Sequence, residues 1–328
     1  MTTEKPKKFS EIYSKIENYG IVPVIKIEEA DKAVPLAEAL AAGGLNIAEV
    51  TFRTECAAEA IKNISKNFPD MLIAAGTVLT VEQAKTAVNS GATAIVAPGF
   101  SDKVVSYCVK NNILIIPGCS SASDIERALD YGIDVVKFFP AETSGGIEMI
   151  KALSAPYNKV KFIPTGGING NNIVDYLSVK SVMACGGSFM VKEDYIRDGE
   201  FDKIRDLTAQ AVQKMLGFNL SHVVINCESA EQAEHDAGKI ESIFGFKKAD
   251  AGVSVSNADI LHFMKIKSYG RNGQIAVCTN FLDRAVFYLR EAGKQFIDES
   301  SRFDANGKLT SIYLDNIIGG FALKLVRK

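Results

Sequence analysis

Asp134-Val135-Val136-Lys137-Phe138-Phe139-Pro140 sets a single lysine inside an apolar run. Side chains along a strand alternate between faces, so Val135, Lys137 and Phe139 point one way and Val136 and Phe138 the other. In a barrel the first of these faces points inward. Outward from this run, strand-like segments recur at roughly twenty-residue intervals, the spacing of βα units. They are Val22 to Lys26, Ile47 to Phe52, Leu72 to Thr77, Ala94 to Pro98, Ile113 to Pro117, Asp134 to Phe139, Lys161 to Thr165 and Ser181 to Gly186. Amphipathic stretches lie between them, among them Glu29 to Ala42, Glu55 to Asn67, Val81 to Ser90 and Ala122 to Tyr131. Several follow a Thr or Ser able to cap a first helical turn. With a leading helix over Phe9 to Tyr19, the alternation predicts an α/β fold, a small (β/α)8 TIM barrel. A doubly wound open sheet competes, but Ile25-Lys26-Ile27-Glu28-Glu29 lacks the glycine fingerprint that a dinucleotide fold places after its first strand.

The chain has 328 residues, enough for two domains. A helix from about Asp202 to Met215 closes the barrel unit, and Leu216-Gly217-Phe218-Asn219 breaks the pattern, which puts the boundary near Gly217. Residues 1–217 form the first domain and 218–328 the second. Within the second, residues 220–267 and 274–327 follow one plan. His222-Val223-Val224-Ile225 opens one copy and Gln274-Ile275-Ala276-Val277 the other. Each opening strand precedes a helix ending in glycine (Ala230 to Gly245, Leu282 to Gly293), and Gly320 to Val326 is a closing strand. An α+β domain of paired βαβββ units is the expectation.

A net charge of -2 with no long basic run leaves no footprint for nucleic acid. The polar opening Met1-Thr2-Thr3-Glu4-Lys5-Pro6-Lys7-Lys8 reads as neither signal nor anchor, and no apolar run reaches membrane-spanning length, so a cytoplasmic protein without membrane contact is expected. The six cysteines (Cys56, Cys108, Cys119, Cys185, Cys227, Cys278) lack the close pairing of metal or redox motifs and read as reduced thiols.

Burial of Lys137 among Val and Phe disfavours its charged ammonium and favours the neutral amine that attacks carbonyls, the chemistry of a Schiff base. Taken alone, the residue also reads as a lysine snorkelling at a strand end. In Ala48-Glu49-Val50-Thr51-Phe52-Arg53, alternation places Glu49, Thr51 and Arg53 on one face. Arg53 suits the carboxylate of a keto acid and Glu49 suits proton transfer, although the two also read as a structural ion pair. Pro164-Thr165-Gly166-Gly167-Ile168 and Cys185-Gly186-Gly187-Ser188-Phe189 place glycine pairs after strands seven and eight, where barrels hold phosphate on backbone N–H groups. Tight turns are the plainer reading of such pairs. Ala75-Gly76-Thr77-Val78 adds a hydroxyl to the same rim.

Together, Glu49-Val50-Thr51-Phe52-Arg53-Thr54-Glu55, Gly76-Thr77-Val78, Ala97-Pro98-Gly99, Lys137-Phe138-Phe139-Pro140-Ala141-Glu142, Pro164-Thr165-Gly166-Gly167-Ile168 and Gly186-Gly187-Ser188 resemble the 2-keto-3-deoxy-6-phosphogluconate (KDPG) and 4-hydroxy-2-oxoglutarate (KHG) aldolases over about residues 9–215. The resemblance implies a class I aldolase on a small barrel, with Lys137 as the Schiff-base lysine and Glu49 as general acid and base. It implies Arg53 and Thr77 around the pyruvate portion, Pro98 and Phe139 packed against it, Thr165 reaching substrate hydroxyls, and Gly166, Gly167, Gly186, Gly187 and Ser188 at the phosphate. It also implies a homotrimer, a phosphorylated keto-acid substrate, and neither metal nor cofactor, since a protonated imine supplies the polarisation. Where the family usually carries tryptophan after the last Gly-Gly-Ser, this chain has Phe189.

Residues 220–328 resemble the vicinal oxygen chelate superfamily, which includes glyoxalases, through the paired plan and the stretches Phe303-Asp304-Ala305-Asn306-Gly307-Lys308 and Gly319-Gly320-Phe321. That resemblance implies a metal near the first and last strands of each half. His222, Gln274 and His262 take such places, but Phe321-Ala322-Leu323-Lys324-Leu325-Val326 contains no carboxylate, so the expectation is no metal. Binding of a small molecule, assembly, or stabilisation of the aldolase are the open roles. For the whole chain, a non-aldolase phosphate-binding barrel enzyme and a phosphosugar-binding sensor are the alternatives to aldol cleavage; the set Lys137, Glu49 and Arg53 favours the aldolase.

Overall fold

The computed structural model describes residues 6–328; part of the polar opening, residues 1–5, lies outside the described residues. The chain divides into two compact units, 1–214 and 215–328. Among the described residues no helix is long and apolar enough to cross a membrane.

In the first unit the strands are β1 (Ile21–Ile25), β2 (Ile47–Thr51), β3 (Leu72–Gly76), β4 (Ala94–Val96), β5 (Ile115–Ile116), β6 (Val135–Phe138), β7 (Lys161–Pro164) and β8 (Cys185–Gly187). Helices α1 (Lys7–Tyr19), α2 (Ala33–Ala42), α3 (Ala57–Asn67), α4 (Val81–Asn89), α5 (Asp102–Lys110), α6 (Ala122–Asp130), α7 (Gly146–Ser154), α8 (Ile173–Leu177), α9 (Glu193–Arg197) and α10 (Phe201–Leu216) alternate with them. Local chemistry sets several boundaries. Thr80 Oγ1 accepts from Gln83 N at 3.1 Å while Gln83 Oε1 accepts from Thr80 N at 3.2 Å, a capping box that starts α4. Ser121 and Asp124 start α6 in the same way.

Six strands form one curled parallel sheet in the order β5-β4-β3-β2-β1-β8, while β6 and β7 pair as a separate ribbon. Eight continuous strands in one ladder were the simpler expectation, and the structure differs in a way that Pro117 explains. A proline has no N–H, so β5 stops at Ile116 and the ladder with β6 cannot run on. A single parallel bridge, Gly118 with Lys137, carries the contact instead. In it Lys137 N donates to Pro117 O at 2.9 Å and Cys119 N donates to Lys137 O at 2.8 Å. On the other side of the ribbon, bridges Phe162 with Val182 and Thr165 with Gly186 meet the segment leading into β8. The last strand therefore begins at Cys185, later than the expected Ser181, and Gly186 and Gly187 lie inside β8, not in a loop after it.

In the second unit, β9 (Asn219–Asn226), α11 (Ala230–Phe244), β10 (Lys248–Asp250), β11 (Ser254–Asn257), β12 (Leu261–Met264), β13 (Gly273–Thr279), α12 (Leu282–Glu291), β14 (Phe296–Phe303), β15 (Leu309–Ile318) and β16 (Phe321–Arg327) follow in order. The strands make one mostly antiparallel sheet, β10-β11-β12-β9-β13-β16-β15-β14. Ala233 and Ala237 of α11 pack on Val255, Phe263 and Cys227, with Ile225 beside them.

The bridge at Gly118 generates a prediction. A Cβ built there would lie 2.1 Å from Pro98 O, a backbone atom that cannot move aside cheaply. Gly118→Ala is expected to cost about 1–3 kcal/mol through overpacking, and amide hydrogen exchange should show the loss in β5 and β6 first; unchanged protection there would refute the assignment of Gly118 as the seam.

Candidate active site

Alternation along β2 and β6 turns Glu49 and Lys137 into the same interior. Lys137 Nζ donates to Glu49 Oε1 at 2.8 Å, and the two residues are only 5% and 4% exposed. Neither charge has bulk water as its partner, so each depends on the other; removing one partner from such a pair typically costs about 3–5 kcal/mol. Gly76 makes room for the carboxylate, since a Cβ at that position would lie 2.3 Å from Glu49 Oε1. The lysine nitrogen also stands 5.6 Å from the centre of the Phe139 ring. Around the pair the interior is apolar, with Val22, Leu72, Val96, Ile116 and Ile163 bordering a pocket of about 20 Å³.

A larger cavity of about 320 Å³ opens at the strand ends and is lined by Arg53, Phe139, Thr165, Gly166, Gly167, Gly186, Gly187 and Ser188. Eight of the residues expected at the site therefore share one cavity. Glu49 and Lys137 border the deeper pocket, and Thr77 and Pro98 line neither. Thr77 is tied to the mouth through Arg53, whose Nε donates to Thr77 Oγ1 at 3.4 Å. Pro98 sits against Gly118 at the seam between β5 and β6. Arg53 lies beyond the end of β2.

The glycine loop after β7 is fixed by backbone geometry. Gly166 and Gly167 have φ of 97° and 84°, in the left-handed region where a side chain is strained. Ala141 N donates to Thr165 O at 2.8 Å and Glu142 N donates to Gly166 O at 3.1 Å, which pins the loop to the segment after β6. A Cβ at Gly167 would meet Glu142 Cγ at 2.4 Å, and the Glu142 carboxylate is itself held by the hydroxyl of Tyr176. Glycine inside β8 has a different cause: a Cβ at Gly186 would lie 2.3 Å from Thr165 Oγ1. That hydroxyl is buried and has no hydrogen-bond partner among the described residues. An unpaired buried hydroxyl costs stability unless something else completes it.

Lys26, Lys192 and Glu193 also line the cavity and escaped the sequence reading. Lys26 donates to Glu193 at 2.8 Å and to Glu28 at 3.0 Å, and these bonds, Glu193 first, raise its pKa above the ordinary lysine value. Its signal was present, because Val22, Val24 and Lys26 alternate onto the face that carries Glu49 in the neighbouring strand, Val24 pairing with Glu49. Lys192 and Glu193 lie on no strand and leave no periodic trace.

In the second unit the side chains at the places where the resemblance implies a metal are engaged with protein neighbours. Gln274 spends its amide on two neighbours, with Tyr313 donating to Oε1 and Nε2 donating to Ser268 Oγ. His222 Nδ1 and Ser221 Oγ form a hydrogen bond at 3.0 Å. Among the described residues no group of three or more His, Cys, Asp and Glu is placed to hold an ion.

Comparison with known proteins places this geometry. The family model for KDPG and KHG aldolase matches residues 12–207. The 2-dehydro-3-deoxy-phosphogluconate aldolase of Treponema pallidum is 50% identical over 202 residues, covering 62% of this chain and 96% of the relative. The KHG/KDPG aldolase of Escherichia coli K12 is 42% identical over 193 residues, 59% of this chain and 91% of the relative. Among solved structures, the KDPG aldolase of Legionella pneumophila, with pyruvate captured as a covalent carbinolamine intermediate, superposes with a TM-score of 0.59 at 40% identity, covering 61% of this chain and 97% of that one. The chain belongs to the KDPG and KHG aldolase family.

Proposed function

We propose that this class I aldolase cleaves KDPG to pyruvate and glyceraldehyde 3-phosphate, and KHG to pyruvate and glyoxylate, through a Schiff base on Lys137. The observation that carries the reading is the buried contact of Lys137 Nζ with Glu49 at 2.8 Å, below a cavity rimmed by Arg53 and two glycine segments. The amine attacks the C2 ketone as neutral nitrogen, and Glu49 is placed to take the proton that the ammonium must lose. The carbinolamine then loses water to an iminium. Breaking the C3–C4 bond sends its electron pair into that iminium and leaves an enamine, while the C4 hydroxyl gives up its proton to become the aldehyde. Proton return to C3 and hydrolysis of the imine release pyruvate and the free lysine. A carboxylate within hydrogen-bond reach of the nitrogen can serve each of these proton transfers.

Arg53 offers a bidentate fork for the keto-acid carboxylate, with Thr77 bound to its Nε and orienting it. Phe139 and Pro98 give the pyruvate portion apolar surroundings, and Thr165 Oγ1 completes its hydrogen bonding on a substrate hydroxyl. Gly166, Gly167, Gly186, Gly187 and Ser188 form the phosphate end, beside Lys26. A non-aldolase barrel enzyme or a sensor would have no use for a lysine and carboxylate sealed below the mouth. We further read residues 1–217 as a (β/α)8 barrel closed through the single bridges, and 218–328 as a glyoxalase-like domain of paired βαβββ units. The whole is read as a cytoplasmic homotrimer, whose stoichiometry mass photometry tests.

Treatment with pyruvate and borohydride, followed by peptide mass spectrometry, tests the reading. A reduced pyruvyl adduct on Lys137 is expected, and its absence from folded protein would sink the Schiff-base mechanism. Glu49→Gln keeps a hydrogen-bond acceptor at Lys137 but not a base. It is expected to lower kcat about 10²–10⁴-fold and to slow borohydride trapping, while a kcat within twofold of wild type would remove Glu49 from the proton transfers. Thr165→Val replaces a partnerless buried hydroxyl with a methyl group, so folding stability should stay within about 1 kcal/mol of wild type or rise while KM for KDPG rises. A stability loss without a change in KM would make the hydroxyl structural.

A further inference from the structure

Two adjacent rows of side chains on one face of the second unit's sheet can be read from strand register. Ser256 pairs with His262, His262 with Val224, Val224 with Gln274 and Gln274 with Ala322. Two residues along, His222 pairs with Ala276, Ala276 with Lys324, and Lys324 with Tyr313. Residues two apart share a face, so both rows lie on the same side. Ser311 is two residues from Tyr313 and pairs with Arg302, which brings Arg302 to that side as well. The opposite side carries Ile225, Val255 and Phe263 against α11.

The first face gathers basic and aromatic groups at its centre, and Asp315, two residues from Tyr313 on the same strand, adds an exposed carboxylate to the same side. The His222 and His262 rings lie 5.0 Å apart, and Lys324 Nζ stands 5.2 Å from the centre of the Tyr313 ring. Burial, and then the charges of His262 and Lys324, lower the pKa of His222; burial, and then the charge of Arg302, lower that of Lys324. These groups are thus close enough to repel one another. Some basic residues elsewhere in the same unit find carboxylates, as Arg327 does on Asp304 at 3.0 Å and Arg290 on Asp298 at 2.5 Å. Among the described residues neither Lys324 nor Arg302 has an acidic partner. Half-buried Lys324, with the charge of exposed Arg302 beside it and no ion pair, carries an electrostatic cost that an anion would offset.

We propose that this face binds a small organic anion bearing a carboxylate or phosphate group, with Lys324 and Arg302 as its counter-ions and His222, His262 and Tyr313 around it. No metal takes part. Residues 1–214 contain no histidine, and the three in the chain are His222, His235 and His262. Histidine ring NMR on the full-length protein therefore reports on the second unit alone, whatever occupies the barrel. His235 lies exposed on α11 and serves as the internal control.

The experiment titrates the histidine-labelled full chain separately with pyruvate, inorganic phosphate and 3-phosphoglycerate, with sodium chloride as the ionic-strength reference. Saturable shifts of His222 and His262 with His235 unmoved are expected, and the probe that saturates at lower concentration identifies the preferred group. Lys324→Met should weaken the Kd at least tenfold while the His235 resonance and the backbone amide spectrum of the unliganded variant stay native. Arg302, being exposed, allows Arg302→Met to carry the same test if the first variant does not fold. Absence of any saturable shift, equal movement of all three histidines in sodium chloride, or an unchanged Kd in a folded variant would overturn the site.

Discussion

A lysine and a glutamate sealed from water at 2.8 Å constrain everything built around them in the first unit. Desolvating two charges costs several kcal/mol each, and the cost is recovered only if the partners are held in one geometry. Parallel strands supply that geometry, because alternation directs Glu49 from β2 and Lys137 from β6 into the same interior. The neighbouring strands then have to leave space. Gly76 is glycine because a side chain there would occupy the position of the Glu49 carboxylate. The bridge between Gly118 and Lys137 fixes the backbone of the lysine where Pro117 has ended the ladder. The same pair that taxes stability thus dictates the small residues around it, and it stores a base beside a nucleophile.

What was legible in the sequence follows period and composition. Strand centres, the capped starts of α4 and α6, and the inward face of Lys137 and Glu49 all come from two-residue or helical alternation. Strand ends were not legible. Ile113 to Pro117 looks like five strand residues, yet only Ile115–Ile116 pair, because the proline withdraws a donor and Ile113 N turns back to Cys108 O at 2.9 Å. Gly187 reads as lying past the strand's end, yet Gly186 and Gly187 pair with Val22 and Pro23 of β1; a Cβ at Gly186 would strike Thr165 Oγ1 and one at Gly187 would lie 2.9 Å from the Phe189 ring. Lys192 and Glu193 were invisible for a different reason. Their place at the cavity depends on how the segment after Ser188 turns, and no periodicity encodes that turn.

Order within the site follows a gradient of water. At the bottom, apolar walls enclose the ion pair; at the top, Lys26 is shared between Glu28 and Glu193 in a half-open setting where its contacts are weak and exchangeable. The present partners of Lys26, beside the glycine segments, are surface carboxylates, so exchanging them for another anion costs little. Thr165 stands between these regimes, with a buried hydroxyl that finds no hydrogen-bond partner among the described residues.

The second unit shows how the same residue types lose one chemistry by satisfying another. Gln274 could ligate a metal only by giving up Tyr313 and Ser268, and Tyr313 is further fixed by stacking on Tyr269 at 4.4 Å. With the amide locked, the two histidines lack a third donor among the described residues. Lys324 stands directly across Ala276 from His222, where a cation's charge opposes the binding of another. A lysine there disfavours a metal ion and favours an anion, while the apolar packing against α11 sits on the other face.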